Sequence, residues 1–428
     1  MNKKYSQGYV KLEQLKISKN RIDYYFTVSD NLQKYIGKEN HMFVEYDEEI
    51  ESLPQSILVI PFVANIMPLM WITNSVLWIE EIDRNYYDSL YRIRQAYQDM
   101  YFDYKLKGVL VSAKTIYNEY EKETDALALF SGGLDAISTC IRIGDKKPIL
   151  TNVYGWYKQK IEENDIFESD KSNIQKFSMN NDLQSKFIKS NFATITKSNI
   201  IDKDYKKKLG DTWWHGFQHG MNFIAHAIPL AYKYKVENIY IASTFPLGEN
   251  RKSCASDPVV DIQTKYASGG VIHDGCEINR QDKIKLVVDK QKRVNKKYPL
   301  RVCSFNDKNC CKCEKCMRTI LGLIAQGVSR EELKKFDFNI EEELIDFYKN
   351  LMDEKIHLMG IQKEYDCYWP DIKKAMYKNK DIIVEKEFIE WFLEYDFINV
   401  RKKAVFNYRV KNFIPIMKRK ILGSKYES

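Results

Sequence analysis

Along the chain the spacing of apolar and polar residues changes several times. Near the start, Lys11-Leu-Glu-Gln-Leu-Lys-Ile and Arg21-Ile-Asp-Tyr-Tyr-Phe-Thr-Val read as strands, and Ser18-Lys-Asn between them predicts a hairpin turn. An uncharged run from Ser52 to Ile79 follows, long enough to cross a bilayer. Pro54, Pro61 and Pro68 interrupt it, and Asn65 and Asn74 would be costly at that depth, so no membrane span is expected. Within it, Ser56-Ile-Leu-Val-Ile-Pro61 reads as a buried strand ending at a proline. From Tyr86 to Tyr104, the residues Tyr87, Leu90, Tyr91, Ile93, Tyr97 and Tyr101 fall roughly at helical spacing.

At Ala126 the text becomes strand, glycine turn, helix: Ala126-Leu-Ala-Leu-Phe, then Ser131-Gly-Gly, then Asp135 to Ile143. A second apolar run, Pro148-Ile-Leu-Thr-Asn-Val-Tyr, comes next, and a helical stretch from Thr212 to Tyr234 leads into Asn238-Ile-Tyr-Ile-Ala. Strands alternating with helices imply a parallel sheet with right-handed crossovers. After about Arg330 the pattern is helical. The expected fold class is α/β, a five-stranded, mostly parallel sheet with helices on both faces. The expected domains are an N-terminal α+β unit over 1–122, the α/β domain over 123–330, and a C-terminal helical extension over 331–428.

Charge adds one feature. Lys and Arg total 67 against 59 Asp and Glu, but residues 401–428 hold nine basic residues and one acidic, leaving 58 of each in the rest. A neutral body argues against nucleic-acid binding over the whole surface, which needs a broad basic face. Local contact with nucleic acid falls to the tail. The opening Met1-Asn-Lys-Lys-Tyr-Ser lacks the apolar core of a signal peptide, so a cytoplasmic location is expected.

Two motifs carry chemistry. Phe130-Ser131-Gly132-Gly133-Leu134-Asp135-Ala136 follows a buried strand and opens a helix. Glycines there let backbone N–H groups approach a phosphate, the helix N-terminus adds favourable partial charge, and the Ser131 hydroxyl can donate a further hydrogen bond. The segment reads as a phosphate cradle, with a glycine turn before a helix cap as the plain alternative. It has neither the Gly-x4-Gly-Lys-Ser/Thr of a Walker loop nor Gly-x-Gly-x-x-Gly.

The second motif is cysteine-rich. Of nine cysteines, Cys303, Cys310, Cys311, Cys313 and Cys316 fall within 14 residues. An odd, clustered set without a secretion signal favours metal ligation over a disulfide framework. Cys310, Cys313 and Cys316 are each separated by two residues, so a tight turn can aim their thiolates at one ion. Cys303 completes a closed tetrahedral zinc site and Cys311 stays outside it; a redox or iron–sulfur role is the alternative.

Between the motifs, Trp213-Trp-His215-Gly-Phe-Gln-His219-Gly-Met-Asn222-Phe-Ile-Ala-His226 sets His215, His219, Asn222 and His226 on one helical face. That face can line a substrate pocket, hold satisfied core or surface histidines, or ligate a metal; no Glu follows the first His as in a zinc-protease helix. Cys254-Ala-Ser-Asp257-Pro-Val-Val-Asp261 lies beyond a strand end, on the ligand-binding edge of a parallel sheet. Asp257 and Asp261 can help hold Mg2+ there, or simply form a turn around Pro258.

Taken together, the two motifs resemble the N-type ATP pyrophosphatases, whose PP-loop reads Ser-Gly-Gly-x-Asp-Ser. Within that superfamily the Cys-x2-Cys-x2-Cys knuckle with one more upstream Cys looks like 7-cyano-7-deazaguanine synthase, the QueC-like branch. The resemblance covers about residues 123–325. It implies an adenine-nucleotide α-hydrolase-like (HUP) sheet, with ATP, Mg2+ and Zn2+ as cofactors. It also implies a C–N bond-forming ligase: adenylation of a carboxylate or amide oxygen, release of pyrophosphate and AMP, then attack by nitrogen. Ser131, Gly132, Gly133, Leu134, Asp135 and Ala136 would surround the pyrophosphate, with Ser131 and Asp135 catalytic and Asp135 beside Mg2+. Arg280-Gln-Asp-Lys283 resembles the family's helix bearing a basic residue near the phosphates, where a fixed cation offsets developing charge; its alternative is an exposed helix start.

The chain departs from the family in places. Ala136 stands where most members carry Ser, Cys311 where they usually carry Gly, and the Cys303–Cys310 gap is a little short. The first 120 and last 100 residues fall outside the resemblance. The implied acceptor is a small molecule of the 7-deazaguanine type or a group borne by a partner protein, as in QueC-like paralogues of bacterial defence and other specialised operons. No Cys–His dyad or N-terminal Cys nucleophile for making ammonia from glutamine is evident, so the nitrogen is expected from free ammonia, a partner, or an amine on the acceptor. The rival readings are a PP-loop amidotransferase of surface-sugar biosynthesis, a tRNA-modifying enzyme using the basic tail, and a non-catalytic zinc-stabilised nucleotide-binding module. A homodimer is compatible with all of them.

Overall fold

The hairpin at the start forms as the alternation predicts. β1 (Tyr9–Ser18) and β2 (Arg21–Val28) are antiparallel, with Ser18 opposite Arg21 and a bulge between Leu12 and Gln14. The computed structural model describes residues 7–156, 164–247, 254–303, 308–356 and 368–413. The chain forms two compact units, 1–279 and 280–428.

The first unit is built on one eleven-stranded mixed sheet. The further strands are β3 (His41–Tyr46), β4 (Val76–Asp83), β5 (Val109–Ile116), β6 (Thr124–Leu129), β7 (Ile149–Tyr154), β8 (Ser185–Ser190), β9 (Val236–Ala242), β10 (Lys265–Tyr266) and β11 (Gly269–Asp274). Their order is β10-β11-β9-β6-β7-β8-β3-β2-β1-β4-β5. The five neighbours β11, β9, β6, β7 and β8 are all parallel. Numbered from β6, their order is 3-2-1-4-5, so the chain leaves β6 on one side through β7 and returns on the other through β9. Right-handed crossovers in opposite directions place the helices Leu134–Arg142 and His219–Lys233 on opposite faces. Residues on either side of position 122 share this sheet, because β3 pairs antiparallel with β8.

The uncharged run is helical. The expected strand Ser56–Pro61 is replaced by helices Gln55–Leu58 and Ile60–Thr73, in which every residue from Ile60 to Ile72 is buried. A helix apolar on all sides shows no 3.6-residue period, so the sequence pattern cannot tell it from a buried strand. Pro61 sits in the first turn, where its missing N–H would have no partner in any case. Asn65 is fully buried and satisfied, its Nδ2 donating to the Phe192 carbonyl at 3.0 Å. Among the described residues no helix is long and apolar enough to cross a membrane.

The second unit is helical: Arg280–Val294, Glu314–Ile324, Leu344–Lys355, Tyr368–Lys378, Lys386–Glu394 and Phe397–Lys411. Ile284, Val287, Met317, Ile320 and Leu321 are buried in it, and Trp369 stacks on Phe397 at 4.0 Å. The basic tail is helical up to Lys411, and its residues 414–428 lie outside the described residues.

Candidate functional site

The loop after β6 has the geometry its glycines require. Gly132 adopts φ +73°, which a side chain would strain, and Gly133 is the extended residue before the helix Leu134–Arg142. Gly133 supplies no capping side chain, so the N-cap residue does not satisfy the orphan amides of the first turn. Ser131 is exposed, its Oγ accepting from the Gly133 amide at 3.4 Å; Asp135 lies half-buried in the first turn, and Ala136 is buried. The loop is fixed from below: the Phe130 amide donates to the Thr151 carbonyl at 2.8 Å and its carbonyl accepts from Asn152 Nδ2 at 2.9 Å. Beyond the loop, Thr139 Oγ1 and Arg142 Nε donate to the Asp274 carboxylate at the end of β11, at 2.8 and 3.1 Å. The loop thus stands at the carboxyl end of the central parallel strand, where the strand order reverses, the place at which open α/β sheets bind ligands.

The helical face carrying His215, His219, Asn222 and His226 divides into two environments. Asn222 and His226 are fully buried. Asn222 Nδ2 donates to the Gln218 carbonyl at 2.7 Å; His226 sits between the Asn222 carbonyl and the Ser190 hydroxyl, and burial lowers its pKa to about 4. Both lie in the core, where Asn222 Oδ1 is left without a hydrogen-bond partner among the described residues. His215 and His219 instead face the loop after β9. A π-turn over Trp214–Gln218 places them, and the Trp214 carbonyl accepts both the backbone N–H and the Nδ1–H of His219, the latter at 2.9 Å. A carbonyl only accepts, so Nδ1 carries the proton and Nε2 faces Cys254 Sγ, 3.5 Å away. His215 holds its Nδ1 2.7 Å from Asp211 Oδ2 and also interacts with Cys254.

The electrostatics of this group are mutual. Hydrogen bonds to Asp211 and then to Cys254 push His215 up to about 10. Burial raises the pKa of the Cys254 thiol, but hydrogen bonds from His215 and His219 outweigh it and bring Cys254 down to about 6. The contact between Cys254 and His219 is not announced by any local sequence pattern. Asp211, His215 and His219 recur every four residues, a spacing that could have marked Asp211 as a partner of His215, whereas Cys254 arrives from a loop 35 residues beyond His219. Next to the pair, Trp214 stacks on His219 at 5.7 Å and lies nearly parallel to Trp156 at 6.1 Å, with Phe223 edge-on to both tryptophans.

Asp257 and Asp261 have structural partners. Asp257 caps the short helix Pro258–Asp261 through the Val259 amide at 3.1 Å. Asp261 is buried, its Oδ2 accepting from Ser256 Oγ and His273 Nδ1, each at 2.8 Å.

In the second unit the four expected ligands converge. The Sγ atoms of Cys303, Cys310, Cys313 and Cys316 lie within 4.8 Å of one another and can hold a metal ion such as zinc. Four thiolates bonded at ~2.3 Å to one tetrahedral ion sit at such separations. Asn309 shapes the turn, its Oδ1 accepting from the Val302 and Cys303 amides and its Nδ2 donating to the Leu300 carbonyl. Cys313 caps the helix Glu314–Ile324, and hydrogen bonds, chiefly with the Cys316 thiol, bring it down to about 5. Cys311 stays outside the cluster, buried, at φ +58°. Arg280 and Lys283 lie buried on the helix Arg280–Val294, and Arg280 Nη2 donates to Thr319 Oγ1 at 3.1 Å.

Comparison of the chain with protein-family models, with curated proteins and with solved structures finds no match.

Proposed function

We propose that the protein is an adenylating ligase of the PP-loop type. It splits ATP between the α and β phosphates, activates the carboxylate or amide oxygen of an acceptor as the adenylate, and hands the activated carbon to a nitrogen nucleophile. The reading rests chiefly on one observation: Ser131-Gly-Gly-Leu-Asp135 forms a left-handed glycine turn into a helix at the reversal point of five parallel strands. In this reading the loop amides and the Ser131 hydroxyl bind the departing pyrophosphate, and Asp135 holds the Mg2+ that offsets its charge. The HUP family suggested by the motifs is compatible with the 3-2-1-4-5 order.

Two further features support a QueC-like branch. The metal-competent cysteine cluster occupies the expected place, and Cys311 adopts the left-handed conformation that suits the glycine usual there. The Trp156, Trp214 and Phe223 surfaces favour a planar acceptor such as a 7-deazaguanine acid. The test is incubation of the purified protein with α-labelled ATP, Mg2+ and a panel of acids including 7-carboxy-7-deazaguanine. AMP formation that depends on one acid supports the assignment, and ADP as product overturns it.

A further inference from the structure

We propose that Cys254 is the nucleophile of an acyl-transfer site, its thiolate taking an acyl group from an activated carboxylate as a thioester and passing it to an amine. For its donor, the adenylate, the proposal rests on the adenylating reading above; the nucleophile itself stands on the geometry of the first unit.

That geometry has the parts of an activated thiol. His219 Nε2 lies 3.5 Å from Sγ, and its Nδ1 is locked by the Trp214 carbonyl, so the nitrogen facing the sulfur is the one able to take its proton. His215, anchored on Asp211 at 2.7 Å, supplies a second cationic partner, and its half-exposed side chain gives the site an edge on solvent. The loop carrying the cysteine is fastened on both sides of the peptide that follows it. The Ala255 amide donates to the His215 carbonyl at 2.7 Å, and Tyr97 Oη donates to the Ala255 carbonyl at 3.2 Å. Gly220 makes this approach feasible: a Cβ there would fall 2.3 Å from the Ala255 oxygen. Among the described residues, the charged and titratable groups around the thiol are His215, His219 and, behind them, Asp211, Asp261 and Tyr97. Among the described residues, the cysteine cluster of the second unit is the only group of three or more such ligands that converges.

The steps balance without an oxidant or reductant. Thiolate attacks the acyl carbon, a C–S bond forms, and the C–O bond to phosphate breaks as AMP departs with the electron pair. An amine then attacks the thioester, a C–N bond forms, the C–S bond breaks, and the amine's proton passes to solvent. The thiolate is restored beside imidazolium. A thioester keeps the acyl group reactive toward amines after AMP has left.

The test uses the full chain and p-nitrophenyl acetate, an activated carboxylate that needs no ATP. The expected result is a burst of p-nitrophenolate approaching one per chain, with a hydroxylamine-labile acetyl group mapped to Cys254 by peptide mass spectrometry. The burst is absent in Cys254→Ser. Asp211→Asn, a change at a positioning residue, moves the pH midpoint of Cys254 alkylation by iodoacetamide upward from about 6 toward 9. No burst from folded wild-type protein, acetyl on another residue, or an unmoved midpoint in Asp211→Asn overturns the proposal. The α-labelled ATP assay keeps the two readings apart. AMP release without Cys254 acylation removes the nucleophile and leaves the adenylation, whereas acylation without AMP does the reverse.

Discussion

Cys254 Sγ and His219 Nε2 meet at 3.5 Å across 35 residues of sequence, joining the loop after β9 to the turn that opens the helix His219–Lys233. The contact depends on a small residue next to it. A Cβ at Gly220 would press on the Ala255 carbonyl at 2.3 Å, a backbone atom that cannot swing away. Gly220→Ala is therefore expected to displace the loop, slow alkylation of Cys254 several-fold and lower stability by about 1–3 kcal/mol. Iodoacetamide kinetics and a melting curve on the same variant check it; an unchanged alkylation rate contradicts the coupling.

Asp135→Asn keeps the shape of the first helical turn and removes one charge. AMP formation is expected to fall by at least about a hundredfold, the scale on which lost charge stabilisation acts, with the melting temperature nearly unchanged. A fully active variant would remove Asp135 from the phosphate site.

The cysteine cluster is expected to carry one zinc per chain by elemental analysis. Cys313→Ser should lose the metal and destabilise the protein, because binding free energy at such a site is folding free energy. A variant that stays folded and metal-loaded but inactive would move the cluster from scaffold to chemistry.

Two histidines of one helical stretch are expected to respond to pH in opposite ways. His215 is raised from 6.5 to about 10, so its contribution is fully present below pH 6.5 and is lost as pH rises toward 10. His226 is lowered to about 4, so the unfolded chain takes the proton first and stability falls as pH drops from 6.5 toward 4. Melting of wild type against His215→Gln should show a gap that is largest below pH 6.5 and closes by about pH 10. A gap constant with pH would contradict the Asp211 pairing.

How much of this was legible depended on whether the signal was local. The β1–β2 hairpin, the glycine loop after β6 and the converging thiols of Cys303, Cys310, Cys313 and Cys316 are written in spacing, because neighbouring residues make the feature. The expected strand Ser56–Pro61 is helical instead, because burial on every side erases periodicity. Asn222 and His226 share a helix with His219, yet a π-turn and the depth of the core send them to different surroundings, which residue spacing cannot report. Cys254 was invisible as a partner of His219 because the crossover and the return of the chain through β9 bring them together.

In the proposed reaction ATP is cut between its α and β phosphates at the loop after β6. Wild-type protein given α-labelled ATP, Mg2+ and the acid panel tests it in one separation of products. The expected products are labelled AMP and an equal amount of pyrophosphate, dependent on one acid and abolished by Asp135→Asn. Labelled ADP, or ATP left intact with every acid by a folded, ATP-binding protein, would contradict it.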